Sequence, residues 1–316
     1  MRRLREAVAL IVFVAVLTGV PGCRSKPSLV LKESDSFLTQ DVSRLTGTNG
    51  LIVQQRGFGI EFQLENGVDC HRIVYLSDGL RVVGYVLKPR RIGSKLPVLL
   101  FNRGGGLEYG NISKENLSYL SSLASQGYVL IASQYRGSSG GEGREEFGGK
   151  DVDDVLNLIP LAKSLSFTDL DRIGMLGFSR GGMMTYLAIK EGAAIRAAAV
   201  VGGLSDLVQF FQGPGKNNMK QVIRRLVGPD VEALRERSAH YWPEKIDVPV
   251  LILHGNEDRV VDVNQARNLA EKLKEFGKPH RLVIFPKGDH GLNNVRRERD
   301  QIILEWFGKY LQPSPS

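Results

Sequence analysis

The sequence predicts an α/β protein built on a mostly parallel, eight-stranded sheet with helices on both faces. Three observations carry that prediction. Over residues 96–311, short uninterrupted Val/Ile/Leu runs alternate with amphipathic stretches, the pattern of parallel strands buried on both sides and joined by helices. Before them, residues 73–76 and 80–87 are β-rich and separated by Ser77-Asp78-Gly79, a hairpin signal. At Gly177-Phe178-Ser179-Arg180-Gly181 the apolar run 173–177 stops and the amphipathic run 183–189 begins, which puts Ser179 on a strand-to-helix corner.

The opening 22 residues are expected to lie outside this fold. A basic start, MRRLRE, precedes an uncharged apolar run over 7–20. At ~1.5 Å per residue that run reaches about 21 Å as a helix, short of the ~30 Å hydrocarbon core, which favours a secretory signal peptide over a spanning helix. It ends Val-Pro-Gly-Cys, which resembles the lipobox of bacterial lipoproteins, although Pro21 is unusual there. Cys23 is therefore the expected lipidation site, with an ordinary cleaved signal as the alternative. This reading carries the protein across the inner membrane to the periplasm-facing side of a bacterial cell envelope, with the lipid anchor its only membrane contact. Residues 23–58 are polar and weakly patterned and read as a tether, so the α/β domain is expected over 59–316. If Cys23 carries lipid, Cys70 is left without a partner, and burial is expected for it.

Composition is that of a globular chain, 42% hydrophobic and 24% charged. The formal charge of +8 falls to +6 when residues 1–22, with three arginines and one glutamate, are removed. The basic residues are scattered rather than gathered among aromatics, so nucleic acid is not an expected partner. Neither cysteine belongs to a metal-ligand pattern, and the glycines at 104–106 lack the GK[ST] ending of a phosphate-cradling loop. No metal or cofactor is expected.

Within the domain, LPVLLFN is a strand, 113–126 a helix, YVLIASQY a strand and 151–163 a helix. After the Ser179 strand and its helix come strands IRAAAVVGG and VPVLILHG, a helix over 264–276, strand RLVIFP and a last helix over 295–311. Each crossover is expected to be right-handed. The interval 204–247 interrupts this rhythm with 44 residues where one helix would suffice. Its Phe210, Phe211, Tyr241 and Trp242 read either as a helical excursion with its own apolar contact surface or as a lid-like insertion walling a substrate pocket; the two are compatible.

A serine hydroxyl is a poor nucleophile at neutral pH and needs a base, itself oriented by a third group. Of His71, His240, His254, His280 and His290, only His290 sits in a Gly/Asp-rich loop after a C-terminal apolar strand, Lys287-Gly288-Asp289-His290-Gly291. It is the expected base, while His254, ahead of Gly255, reads as packing at a strand end. The loop one strand earlier offers Glu257 and Asp258. Asp258 is the choice for the orienting carboxylate, with Glu257 as fallback and Asp289 read as a turn former. The order Ser, acid, His, with steps of 79 and 32 residues, is that of hydrolases built on such a sheet. For the developing oxyanion, the N–H of Arg180 opens a helix, and Arg103-Gly104-Gly105-Gly106 lets bare backbone approach a substrate oxygen.

With these residues in place, the chain from about residue 71 to 311 resembles an α/β-hydrolase fold, and more narrowly the catalytic domain of the prolyl oligopeptidase family of serine peptidases. The narrower likeness rests on Tyr135-Arg136-Gly137-Ser138, then Gly148-Gly149-Lys150-Asp151-Val152-Asp153-Asp154, then Gly177-Phe178-Ser179-Arg180-Gly181-Gly182, then His254-Gly255 with Asp258 and Val261, then His290-Gly291. The resemblance implies Ser179, Asp258 and His290 as a triad, with the N–H groups of Gly105 and Arg180 as oxyanion donors. Two departures stand out. The family's large peptidases carry a propeller whose blades take about 40 to 50 residues each, whereas roughly 50 residues separate Cys23 from His71, so no propeller is expected. Arg103 also stands where that loop usually has histidine or a nearby tyrosine. The expected function is a serine hydrolase cleaving short peptides or small esters through an acyl-enzyme. The alternatives are a carboxylesterase similar to dienelactone hydrolases, an acyltransferase, and a binding lipoprotein that kept the scaffold without turnover.

Overall fold

A computed structural model of the chain describes residues 31–32, 49–60, 67–213 and 218–312. The expected signal peptide, Cys23 and most of the expected tether lie outside these described residues. The sheet has ten strands in the order β1-β2-β3-β4-β6-β5-β7-β8-β9-β10. In chain order these are β1 Leu31–Lys32, β2 Ile52–Ile60, β3 Val68–Ser77, β4 Leu80–Pro89, β5 Leu96–Asn102, β6 Val129–Ser133, β7 Thr168–Phe178, β8 Ala197–Val201, β9 Val250–Gly255 and β10 His280–Phe285. The eight predicted strands are all present, as β3 to β10. The six from β6 across to β10 are mutually parallel, and β4 joins them antiparallel at Gly84–Leu87.

The antiparallel edge extends further than the sequence predicts. β2 pairs with β3 and β1 with β2, so the expected boundary at residue 59 falls inside a strand, and part of the expected tether belongs to the sheet. The sequence of β2 contains Gln54, Gln55 and Arg56 and lacks the apolar alternation that usually signals a strand, so it reads as polar linker. β2 is held by backbone pairing with β3 from Ile52 to Phe58 and does not need that signal. The β3–β4 hairpin is as expected. Ser77 faces Leu80, and Asp78 and Gly79 both have positive φ, 51° and 80°, the two-residue turn whose twist matches its strands.

Successive residues of the central strands enter opposite cores. Val98 and Leu100 of β5 join Ile173 and Met175 of β7 on one face, while Leu99 and Phe101 join Leu176 on the other. The first face is covered by α2 (Asp151–Leu156), α3 (Leu158–Ser164), α4 (Arg180–Lys190) and α8 (Asn264–Glu275), and the second by α1 (Lys114–Ala124) and α9 (Arg296–Tyr310). α1 begins at a capping box, in which Ser113 Oγ accepts from Asn116 N and Asn116 Oδ1 accepts from Ser113 N. The single helix expected over 151–163 is two. Pro160 has no N–H for the Leu156 carbonyl, and the chain breaks at Asn157. The interval 204–247 is helical, with α5 (Leu207–Gln212), α6 (Asn218–Leu226) and α7 (Val231–Glu236) followed by two 3₁₀ turns; Pro214 and Gly215 lie outside the described residues. Cys70 is buried in β3, as expected, and burial pushes its thiol up to about 12.

The strand order positions the site. β5 is followed in the chain by β6 on one side and flanked by β7 on the other, so the order reverses at β5, and crevices open at the carboxyl ends of strands where that happens. Asn102 at the end of β5 faces Gly177 at the end of β7. The glycine loop and Ser179 therefore emerge side by side.

Candidate active site

Ser179 has φ 55° and ψ −122°, a conformation that L-residues avoid and that costs roughly 1–3 kcal/mol. The surroundings impose it. Its N–H donates to Val201 O at the end of β8 and its carbonyl accepts from Gly182 N, both at 2.9 Å. A Cβ at Gly177 would strike the Gly181 carbonyl, and one at Gly181 would strike the carbonyls of Asn102 and Arg103, so only glycine lets β7, β5 and α4 approach this closely.

The loops after β9 and β10 bring the other two predicted residues to this corner. His290 Nδ1 lies 2.8 Å from Asp258 Oδ2, and His290 Nε2 lies 2.9 Å from Ser179 Oγ. A carboxylate can only accept, so Nδ1 carries the proton, Nε2 is the acceptor, and the Ser179 hydroxyl donates to it. Asp258 Oδ1 accepts from Val260 N and Val261 N at 2.8 and 2.9 Å. Burial alone would raise this carboxyl, but hydrogen bonds from His254 and His290, the charge of His290 and the Val261 N–H hold it well below the usual carboxylate range. Such a chain can draw a proton from the hydroxyl onto imidazole while a fixed negative charge steadies the imidazolium.

The remaining candidates separate cleanly. Glu257 is exposed, and Asp289 accepts from Asn293 N, the turn-forming part expected of it. His240 stacks edge-on against Tyr241, and His280 Nδ1 lies against Lys278 O at the start of β10. His71 is buried in β3. His254 does more than pack at a strand end. Its Nε2 lies 3.0 Å from Val261 O and 3.1 Å from Asp258 Oδ2, so its N–H is shared between the loop and the carboxylate. Sequence reading also missed Arg299 of α9, which donates to Gly291 O and stacks on Phe178 at 5.1 Å, tying the neighbour of His290 to the neighbour of Ser179.

On the oxyanion side, a Cβ on Gly104 would lie 3.1 Å from Ser179 Cβ, and Gly105 turns the loop with φ 73°. Gly106 N donates to Tyr109 O and is committed there. The Arg180 N–H lies in the first turn of α4, where the helix supplies no acceptor. A cleft of about 890 Å³ opens beside Asp258, walled by Tyr109 of the glycine loop, Phe210, Met219 and Val222 of the 204–247 segment, and Val260 and Val263. Trp242 is buried away from it, with Nε1 donating to Arg235 O. Among the described residues, no group of three or more His, Cys, Asp or Glu side chains is placed to hold a metal ion.

The model of the prolyl oligopeptidase family matches residues 115–314, which is more than half the chain and includes Ser179, Asp258 and His290. The chain belongs to the prolyl oligopeptidase family. An uncharacterized peptidase YtmA of Bacillus subtilis is 34% identical over 234 residues, 72% of this chain and 88% of that protein. Among solved structures, the Pyrococcus horikoshii acylaminoacyl peptidase matches with a TM-score of 0.69 and 25% identity, over 86% of this chain and 45% of its own. A puromycin-hydrolyzing peptidase of Mycobacterium tuberculosis matches with a TM-score of 0.66 and 27% identity, over 75% of this chain and 38% of its own. The chain thus spans most of the Bacillus peptidase and less than half of each solved one. It is a hydrolase-fold member of a family of serine-type peptidases, as the resemblance implies.

Proposed function

We propose that this protein cleaves short peptides by covalent catalysis at Ser179. Ser179 Oγ attacks the scissile carbonyl carbon as its proton passes to His290 Nε2, and Asp258 stabilises the imidazolium that forms. The carbonyl oxygen, now an alkoxide, is met by the N–H groups of Gly105 and Arg180. Collapse of the tetrahedral adduct expels the amine, which takes the proton from His290, and leaves an acyl-enzyme. Water, deprotonated by the same imidazole, releases the acid and restores the serine. The observation that carries this reading is the continuous pair of hydrogen bonds from Asp258 through His290 to Ser179. The cleft beside Asp258 holds the substrate, with the 204–247 segment as its lid-like wall.

Assays pairing short peptide anilides with short-chain aryl esters test the substrate class, with a fluorophosphonate probe reporting the nucleophile. Peptide cleavage and labelling, both lost in Ser179→Ala, are the expected result. Ester cleavage alone would replace the peptidase reading with a carboxylesterase, acyl transfer to added amines or alcohols would indicate an acyltransferase, and no labelling of the intact protein would leave a binding scaffold. The proposed cell-envelope location rests on the N-terminal sequence, and mass spectrometry of Cys23, beside Cys23→Ser, tests it directly.

A further inference from the structure

Four charged side chains are buried beside the glycine loop, and none takes part in the proton relay. Arg103 follows β5, Glu145 lies in the loop after β6, Asp151 begins α2 and Arg180 begins α4. All four are at most 2% exposed. Arg103 Nη2 donates to Glu145 Oε2 at 3.1 Å, Arg180 Nη1 lies 2.7 Å from Glu145 Oε1, and Arg180 Nη2 donates to Asp151 Oδ2. Both guanidinium groups stack on the Tyr135 ring, and Arg180 also on Phe147. Two cations and two anions make a neutral cluster. Apolar residues of equal volume often serve stability as well or better, so stability alone is a weak account of it.

Arg103 Nε and Nη2 also donate to Gln134 O at 3.0 and 2.7 Å, which anchors that guanidinium after β6, and Asp151 Oδ1 accepts from Gly148 N. Several of the remaining hydrogen bonds converge on the glycine loop. Arg103 Nη1 donates to Gly104 O at 3.1 Å and Arg180 Nη1 to Gly105 O at 3.2 Å. Arg103 Nη2 reaches Leu107 O at 3.3 Å, and Glu145 Oε1 accepts from Leu107 N at 2.6 Å. Three carbonyls of the loop that lies against Ser179 are therefore held by the cluster. A peptide unit is planar and trans, so fixing the Gly104 carbonyl also fixes the Gly105 N–H, which points the opposite way in the same plane. We propose that Arg103, Arg180 and Glu145 are positioning residues for the oxyanion site, with Glu145 as the hub that locks both arginines to the glycine loop. This rests on the reading of Ser179 as nucleophile and of the Gly105 and Arg180 N–H groups as oxyanion donors.

The test compares Arg103→Lys and Glu145→Gln with the wild type, rates being expressed per active site titrated with a fluorophosphonate. Lysine keeps the charge and loses the planar fork that bonds Gly104 O, Leu107 O and Glu145 together. Glutamine keeps the shape and loses the charge. The expected result is a fall in kcat of about ten- to hundred-fold, smaller than the ~10²–10³ for deleting a donor outright, with KM within about two-fold. Affinity for a peptide boronic acid, which forms a tetrahedral adduct on the serine, should fall in step with kcat/KM. If Glu145→Gln does not fold, Arg103→Lys and Ser138→Ala carry the test, since Ser138 Oγ accepts from Arg103 Nη2 and donates to Leu107 O. Variants that melt earlier yet keep wild-type kcat per titrated site and wild-type boronate affinity would overturn the proposal and leave the serine mechanism intact. A wild-type protein that does not label would overturn both.

Discussion

One short helix serves two buried arginines with opposite consequences. From α2, Asp151 binds Arg180 in the cluster beside the glycine loop, and Asp154, one turn later, binds Arg136. Arg136 approaches Asp154 with Nε at 3.1 Å and Nη2 at 2.8 Å, and its own N–H donates to the same carboxylate at 2.7 Å. Asp154 also accepts from Ser77 Oγ, Arg136 reaches Asp78, and Tyr75 OH donates to the Asp154 carbonyl. The contacts of Asp154 and Arg136 with Ser77, Asp78 and Tyr75 grip the β3–β4 hairpin. Both networks bury an arginine against an aspartate of α2, the outer one with a single arginine and ending at the partly exposed Asp78, and they differ in what their remaining donors hold: the β3–β4 hairpin in one case, the loop against Ser179 in the other. Burial of charge by itself does not mark function. The identity of the backbone it fixes does.

The upper bound of that comparison is set by Ser179→Ala, expected to lower kcat roughly a million-fold, measured by single-turnover hydrolysis. Asp258→Asn comes next at about ten-thousand-fold, because the amide would favour the wrong imidazole tautomer. Both losses should far exceed those of the inner cluster, and equal losses would erase the distinction between chemistry and positioning. The outer cluster should respond in a different quantity. Asp154→Asn leaves Arg136 buried with less compensation and should cost about 3–5 kcal/mol in denaturant unfolding, while kcat per titrated site is unchanged; a fall in kcat there would merge the two networks.

The smallest effects are in pH. Because the folded carboxyl of Asp258 is held below its unfolded value, its ionised form favours the fold above about pH 4. That contribution is lost as pH falls through the lower folded value. The stability gap between wild type and Asp258→Asn should therefore narrow below about pH 4, followed by circular dichroism. Burial lowers His71 to about 4, so the wild type should also lose stability as pH falls from about 6.5 toward 4, and His71→Gln should flatten that slope.

Much of the site is legible from residue order because its members carry local signals. Ser179 sits between glycines at the end of an apolar run, Asp258 and His290 sit in loops after apolar strands, and all three meet within hydrogen-bonding distance. Pro160 also marks the break at Asn157 locally, beneath an amphipathic pattern that runs on over 151–163. Glu145 and Arg299 are not legible, the first being one of two adjacent glutamates in a polar loop and the second one of several arginines on the last helix, with nothing in their neighbours to set them apart. His254 stands out in the His254-Gly255 motif, but its bond to Asp258 depends on how the loop after β9 folds back.

Amino-acid order by itself determined the alternation of strands and helices, the strained corner and the three side chains that meet in the hydrogen-bonded relay, because apolar periodicity and turn chemistry are properties of a few consecutive residues. Tertiary structure alone decided that β2 joins the sheet, that Arg103 and Arg180 share one carboxylate, and that Asp258 is gripped by a second histidine. Hydrogen bonds between buried groups depend on distance in space, and residues 38 or 111 positions apart in the chain acquire that proximity only when the sheet has closed around them.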